Sequence, residues 1–151
     1  MPNLVATVFA GLLLVAPAYA QTPPVAVTGA WSRATPPGAE VGAVYLTLDS
    51  PAGDRLVSAS SPVAARAQVH EMRMDGAVMQ MRELTDGLPL PAHYAVVLSP
   101  GGLHIMLVGL KAPLKQGGTV PLHLVFQSAP PLDLMVPIAA LGASAAPPTA
   151  H

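Results

Sequence analysis

The stretch HEMRMDGAVMQM, which runs from His70 to Met81, decides the fold that this sequence predicts. Asp75-Gly76 at its centre is a typical two-residue turn, because a type I′ turn needs positive φ at both central residues. If that turn forms, His70 faces Met81 across a β-hairpin. Side chains alternate along a strand, so one face of the hairpin would carry His70, Met72, Met74, Ala77, Met79 and Met81.

The methionines of this hairpin have two interpretations. The pairing that follows from the turn sets Met72 opposite Met79 and Met74 opposite Ala77. Methionines that alternate on a strand are usually core filler, and by that interpretation Met72, Met74 and Met79 are buried. By the other, the thioethers lie beside an imidazole where one metal ion can touch both, and neither Asp nor Glu falls on this predicted face.

A second His/Met pair lies downstream in the stretch Leu103-His104-Ile105-Met106-Leu107. His104 and Met106 are two residues apart on a predicted strand, so they share one face. The strand is almost wholly apolar over residues 103–110, which predicts a central position in the sheet. A lone histidine in such a run would normally be a satisfied core residue, but two same-faced His/Met pairs together favour metal ligands.

Short strands separated by turns account for most of the chain. Pro (18) and Gly (13) are plentiful, which favours strands and turns over helices. The pattern predicts eight or nine strands, and hence an all-β, antiparallel β-sandwich in a single domain. The expected strands lie at residues 25–35, 41–48, 55–60, 67–84 as the hairpin, 93–98, 103–110, 120–127 and 132–138, with a turn or brief helix at 62–67 and an extended segment at 88–91.

The two ends of the chain differ from this domain. Residues 1–20 combine an apolar run with Ala18-Tyr19-Ala20, which predicts a signal peptide that is cleaved before Gln21 and directs the protein to the periplasm. The β-sandwich domain is then expected at 21–138, with no stable membrane insertion. Residues 139–151 are rich in Ala and Pro and predict a disordered tail.

Composition excludes several classes of function. The net charge is -1 and only 10% of residues are charged, so no basic surface for nucleic acid is expected. The chain has no Cys, which excludes disulfides, thiol catalysis, cysteine-ligated metal sites and a lipid-modified cysteine. No nucleophile–base pair and no paired carboxylates are evident, so the protein is not expected to be an enzyme.

The candidate metal ligands are His70, Met81, His104 and Met106. Two imidazoles and two thioethers form a soft, neutral ligand set that suits Cu(I), whereas zinc prefers thiolate, imidazole or carboxylate and calcium prefers oxygen. The secreted location agrees with this choice, because thioethers cannot be lost to disulfide formation outside the cytosol. The remaining histidines lack such a pairing, and we expect His93 at a loop edge, His123 on a strand face and His151 in the tail.

At these residues the sequence resembles the periplasmic copper chaperones that carry Cu(I) toward the CuA centre of cytochrome c oxidase. That family has a His, ten residues, a Met, about twenty-one residues and then His-x-Met. His70, Met81, His104 and Met106 match this pattern, with twenty-two residues between the second and third. Further blocks that resemble the family lie at residues 30–38, 41–46, 100–107 and 115–122.

The resemblance implies a cupredoxin-like sandwich, an exposed Cu(I) site and no catalysis. The implied partner is the CuA subunit of cytochrome c oxidase or another copper-assembly protein, and we expect the chaperone to be a monomer. Two alternatives remain open at this stage. A periplasmic copper storage or resistance protein would share the site but keep the metal, and a non-metal secreted β-sandwich interaction module would use its methionines as core.

Overall fold

The computed structural model describes residues 21–148, and it contains ten strands and no helix within that range. The predicted signal peptide at residues 1–20 and His151 lie outside the described residues. The strands are β1 (Ala26–Arg33), β2 (Val41–Asp49), β3 (Asp54–Ser60), β4 (Ala64–Asp75), β5 (Val78–Glu83), β6 (Leu88–Leu90), β7 (Val96–Leu98), β8 (His104–Leu110), β9 (Thr119–Phe126) and β10 (Leu132–Ala139). The predicted all-β, single-domain class is confirmed.

Seven of the strands form a closed ring. The strand order runs β4-β8-β2-β1-β10-β9-β3, and a further pairing of β3 with β4 closes it. Only β1 and β10 pair in parallel; the other pairings in the ring are antiparallel. Strands β5, β6 and β7 pair outside the ring with β4, β3 and β2. β4 therefore belongs both to the ring and to the hairpin.

The core fills the inside of this ring. Alternate residues of β2, β8 and β9 point inward, and the side chains that are almost fully buried include Val44, Leu46, Leu48, Ile105, Leu107, Val120, Leu122 and Leu124. Burying aliphatic side chains of this size stabilises the fold by about 1.5–3 kcal/mol each. Because Ile105 and Leu107 face inward, the residues that alternate with them, His104 and Met106, lie on the outer face of the ring.

The hairpin forms as predicted, but its register differs from the prediction. Asp75 pairs with Val78, so the two loop residues are Gly76 and Ala77 rather than Asp75 and Gly76. Gly76 has a positive φ of 62°. Glycine at the first loop position is the preference of a type II′ turn, which needs positive φ only there. The predicted type I′ turn is therefore wrong, and each residue of β4 meets a partner two positions further along β5.

Three further predictions are corrected at strand boundaries. β4 begins at Ala64, so residues 64–67 are strand rather than a turn or brief helix. His93 lies in a turn with φ of 60°, and β7 begins only at Val96. Ala139, expected in the tail, is the buried last residue of β10.

Residues 21–148 include no helix that is long and apolar enough to span a membrane.

Candidate metal centre

Two histidines meet on the outer face of the ring. β4 and β8 pair with His70 directly opposite His104. Their ring centroids are 5.7 Å apart, and the ring planes are tilted by 38°. His104 is 8% exposed and His70 is half-buried. The strand pairing thus brings together the two histidines that the sequence analysis proposed as ligands, although their sequence positions are far apart.

Hydrogen bonds fix which nitrogen of each ring is free. Nδ1 of His104 lies 3.0 Å from the carbonyl oxygen of Gly102, so Nδ1–H donates to that oxygen and Nε2 keeps its lone pair. Nε2 of His70 lies 3.2 Å from Oε1 of Gln68, and with the proton on Nε2 the lone pair of His70 is on Nδ1. This Nδ1 is buried and has no hydrogen-bond partner among the described residues. Metal-binding histidines typically donate their other ring N–H in this way.

The charge around His70 differs from the prediction that no carboxylate lies on this face. The register of the hairpin sets Glu83 directly opposite His70. Burial lowers the pKa of His70, and the neighbouring imidazole of His104 lowers this pKa further, whereas the charge of Glu83 raises it. The net direction is downward, so His70 favours the neutral form that a metal requires.

Met106 lies beside the imidazole pair. It pairs across the strands with Gln68 on one side and with Ala43 on the other. Together with His104 it lines a surface cavity of about 250 Å³ whose other wall includes Arg33 and Tyr45. The guanidinium carbon of Arg33 lies 5.7 Å from the Tyr45 ring centroid, so a permanent positive charge lies at the rim of this cavity.

Met81 does not face His70. It pairs with Met72, and its position is diagonal to His70 across β4 and β5. Diagonal neighbours in a sheet are roughly 7–8 Å apart, which long side chains can bridge. The predicted His70–Met81 pair is thus wrong as a directly opposed pair, while both residues remain on the same face.

The hairpin methionines form two directly opposed pairs. Met72 pairs with Met81, and Met74 pairs with Met79. We call these four residues the methionine ladder. Met74 is 57% exposed and Met79 is 51% exposed, while Met72 is half-buried. The interpretation of Met72, Met74 and Met79 as core filler is therefore wrong for Met74 and Met79, and Met72 is only partly covered.

Sequence reasoning missed the residues that support the histidines. Glu83 meets His70 only through the pairing of β4 with β5, which depends on the hairpin register. Gln68 and Gly102 each lie two residues before the histidine that they hydrogen-bond, so their contacts are local. A weak signal for Gln68 existed, because it precedes His70 by two residues and so shares its face. The other histidines lie elsewhere: Nδ1 of His123 pairs with Oδ1 of Asp133 at 2.6 Å. Residues 21–148 contain no group of three or more His, Cys, Asp or Glu side chains placed to hold a metal.

The sequence matches a family and one of its named relatives. The profile of the family described as "LpqE-like: Putative lipoprotein LpqE-like" matches residues 25–138. A protein named "Putative lipoprotein Lxx21020", from Leifsonia xyli subsp. xyli (strain CTCB07), is 37% identical over 129 residues. That alignment covers 81% of this chain and 76% of the relative.

Solved structures of copper-related domains share the fold. The solution structure of Cu(I)-DR1885 from Deinococcus radiodurans is 34% identical with a TM-score of 0.59, over 80% of this chain and 81% of that chain. Its apo form is 30% identical with a TM-score of 0.60, over 93% of this chain and 94% of that chain. The copper-bound PCuAC domain from PmoF2 is 24% identical with a TM-score of 0.65, over 81% and 97% respectively, and this likeness shows the fold alone.

Proposed function

This chain belongs to the LpqE-like family, and from its paired imidazoles and its fold we propose that it binds Cu(I) and carries the ion to a protein acceptor. The observation that carries the proposal is the His70–His104 pair. Each ring uses one nitrogen in a hydrogen bond to the protein and keeps the lone pair of the other. A buried imidazole nitrogen without a partner costs free energy in the apo protein, and a bound metal would remove that cost.

The proposed ligands are His70, His104, Met106 and Met81. Both thioethers are diagonal neighbours of His70, in opposite directions along β4. Met81 on β5 lies opposite Met72, and Met106 on β8 lies opposite Gln68. Thioether sulfur is a soft, neutral ligand that favours Cu(I) over zinc, calcium or magnesium. The likeness to Cu(I)-DR1885 supports this choice of metal.

Neutral ligands suit a carrier because they allow the ion to leave. Thiolates bind Cu(I) more strongly than thioethers do, so an acceptor with two thiolates would take the metal by ligand exchange. The CuA site of cytochrome c oxidase is an acceptor of this type, and we propose it, or another copper-assembly protein, as the partner. Transfer requires no catalytic step and no change in the oxidation state of copper.

We further propose that the carrier acts at the cell envelope. Relatives named as lipoproteins support such a location. The proposed signal peptide at residues 1–20 would export the chain to the periplasm. The chain lacks Cys, so the cysteine-linked lipid of a lipoprotein has no attachment residue in this sequence.

The decisive experiment is an anaerobic Cu(I) titration of the exported protein against a competing chelator, followed by mixing with a reduced acceptor that bears a dithiolate site. We expect tight binding, and we expect the acceptor to remove the metal without added chelator. The His70→Ala/His104→Ala double variant should lose tight binding. The His123→Ala variant is the matched control, because its imidazole pairs with Asp133 on β10, and it should bind as the wild type does.

Two results would contradict the proposal in different ways. If the double histidine variant binds Cu(I) as tightly as the wild type does, the site is wrong. If the wild type binds Cu(I) but keeps it in the presence of the reduced acceptor, the protein stores copper rather than carrying it. Cells that lack the protein should show reduced oxidase activity at low copper, restored by added copper through mass action.

A further inference from the structure

We propose that the methionine ladder (Met72, Met74, Met79 and Met81) carries a second, weaker Cu(I) site at its outer end, held by the thioethers of Met74, Met79 and Met72. This site would receive the ion from the imidazole pair and present it to the acceptor. The inference rests on the proposed Cu(I) function for the direction of movement, but the existence of the second site can be tested separately.

The register of the hairpin places the sulfur-bearing residues in two consecutive rungs. Met72 opposes Met81 and Met74 opposes Met79. Directly opposed residues have Cβ atoms roughly 4.5–5.5 Å apart, so two thioethers of one rung can touch a single ion. Successive rungs are separated by two residues, or about 7 Å along the strand, and long side chains can cover that distance. Three sulfur ligands from neighbouring rungs are therefore within reach of one ion.

Exposure of the ladder argues against a packing role. Met74 and Met79 are more than half exposed, and every residue of β5 is exposed. Within residues 21–148, β5 lies at the end of the strand order and pairs only with β4. Methionine on such a surface buries little apolar area, and its thioether contributes no hydrogen-bond donor. The remaining distinctive property of these side chains is the soft sulfur atom, which suits Cu(I).

Because the imidazole pair is buried, the exposed methionine ladder can present Cu(I) to an acceptor. His104 is almost fully buried and Nδ1 of His70 is inaccessible, so a bulky acceptor meets the imidazole ligands with difficulty. The rungs lead from the His70 position outward to the turn at Gly76. An ion can pass along them by exchange, in which one copper–nitrogen or copper–sulfur bond breaks as a copper–sulfur bond forms. The metal remains Cu(I), and no proton or electron moves.

The test compares ligand number in the full exported chain and in a Met74→Leu/Met79→Leu variant. Leucine keeps the apolar character and nearly the volume but removes the sulfur. Met135→Leu is the matched control, because Met135 is exposed on β10, outside the hairpin. Anaerobic titration with Cu(I) and competing chelators of different strength gives the number of equivalents, and circular dichroism checks that each variant folds.

We expect the wild type and Met135→Leu to bind a tight and a weaker equivalent of Cu(I). The Met74→Leu/Met79→Leu variant should lose the weaker equivalent, keep the tight one and transfer copper more slowly to a dithiolate acceptor. X-ray absorption of the second equivalent should show sulfur ligands and no nitrogen. If the ladder variant keeps both equivalents, or if the wild type binds only the tight one, the inference is overturned and the proposed carrier function stands. If the wild type binds no Cu(I) at all, both fail.

Discussion

A hydrogen bond from each imidazole determines how the proposed site responds to pH. His70 donates to Gln68 and His104 donates to Gly102, so each ring is oriented as a neutral ligand. Burial lowers the pKa of His70, with a further contribution from His104 and an opposing one from Glu83. Because this pKa lies below that of the unfolded chain, the unfolded state takes up the proton first as pH falls. The apo protein therefore loses stability below about pH 6.5 and regains it above that value.

Cu(I) affinity should follow the same imidazoles. A free imidazole has a pKa near roughly 6.5, and burial holds the pKa of His70 below that value, so affinity should be level above about pH 7 and should weaken only as pH falls below about 6. In the His70→Ala variant this pH dependence should be reduced. Chelator competition at a series of pH values measures this slope. An identical pH dependence in the wild type and in the His70→Ala variant would mean that His70 is not a ligand.

Met81 and Met72 form one rung of the methionine ladder, but only Met81 is a proposed ligand of the tight site at His70 and His104. Met81→Leu should weaken tight Cu(I) binding, because it removes a sulfur ligand while conserving volume. The change should exceed the roughly 10–100-fold loss that follows from removing a residue behind a ligand. Met72→Leu is the matched variant, because Met72 lies on β4 directly opposite Met81. This change should leave tight Cu(I) binding intact. The reverse outcome would assign the tight-site sulfur to Met72 instead.

At the scale of elements, the hairpin shows why a turn prediction can place residues on the correct face but opposite the wrong partner. The Asp75-Gly76 and Gly76-Ala77 loops differ by one position, which moves every cross-strand partner by two residues. A shift of two preserves the alternation, so His70 and Met81 keep their shared face. It replaces Met81 with Glu83 opposite His70, and this brings a carboxylate to the site.

The type II′ turn makes a prediction about Gly76. Its φ of 62° is unfavourable for any residue with a Cβ atom, although a Cβ there would meet nothing within 4 Å. Gly76→Ala should therefore destabilise the hairpin through its backbone alone, by about 1 kcal/mol or more. Gly142→Ala is the control, because its φ lies outside the left-handed region and it also has open space. Faster amide hydrogen exchange at Arg73 and Gln80 in the first variant only is the expected result, and equal exchange in the two would contradict it.

At the scale of the whole molecule, local patterns predicted the strands but not their arrangement. Alternation and turn residues located most of the strands, and the i, i+2 spacing placed His104 and Met106 on one face. The ring closure between β3 and β4 depends on the single register pair Ala59–Ala67, which no local pattern encodes. The placement of His70 against His104 is likewise a property of strand order. A ligand motif could suggest that these residues meet, but only the strand pairing shows that His104 and Glu83 lie directly opposite His70.

The C-terminal segment is held against the outer face of the ring. Residues 140–148 follow β10, and Ala143 packs against Trp31 and Tyr45 on the outer face of the ring. Nε of Arg33 donates to the carbonyl oxygen of Ala143 at 2.5 Å. A segment held in this way covers the aromatic pair beside the cavity that contains His104 and Met106.

Removing residues 141–151 should uncover this aromatic pair without unfolding the ring. Trp31 is the sole tryptophan of the chain, so its fluorescence reports the change directly. We expect a red-shifted emission and a loss of stability of about 1 kcal/mol, because one hydrogen bond and some apolar contact disappear. Urea unfolding of the truncated and full chains measures the second effect. An Arg33→Met change in the full chain removes the hydrogen-bond donor but keeps the segment, so it should lower stability while shifting the emission much less. If truncation leaves the emission spectrum unchanged, Ala143 does not cover Trp31 in solution.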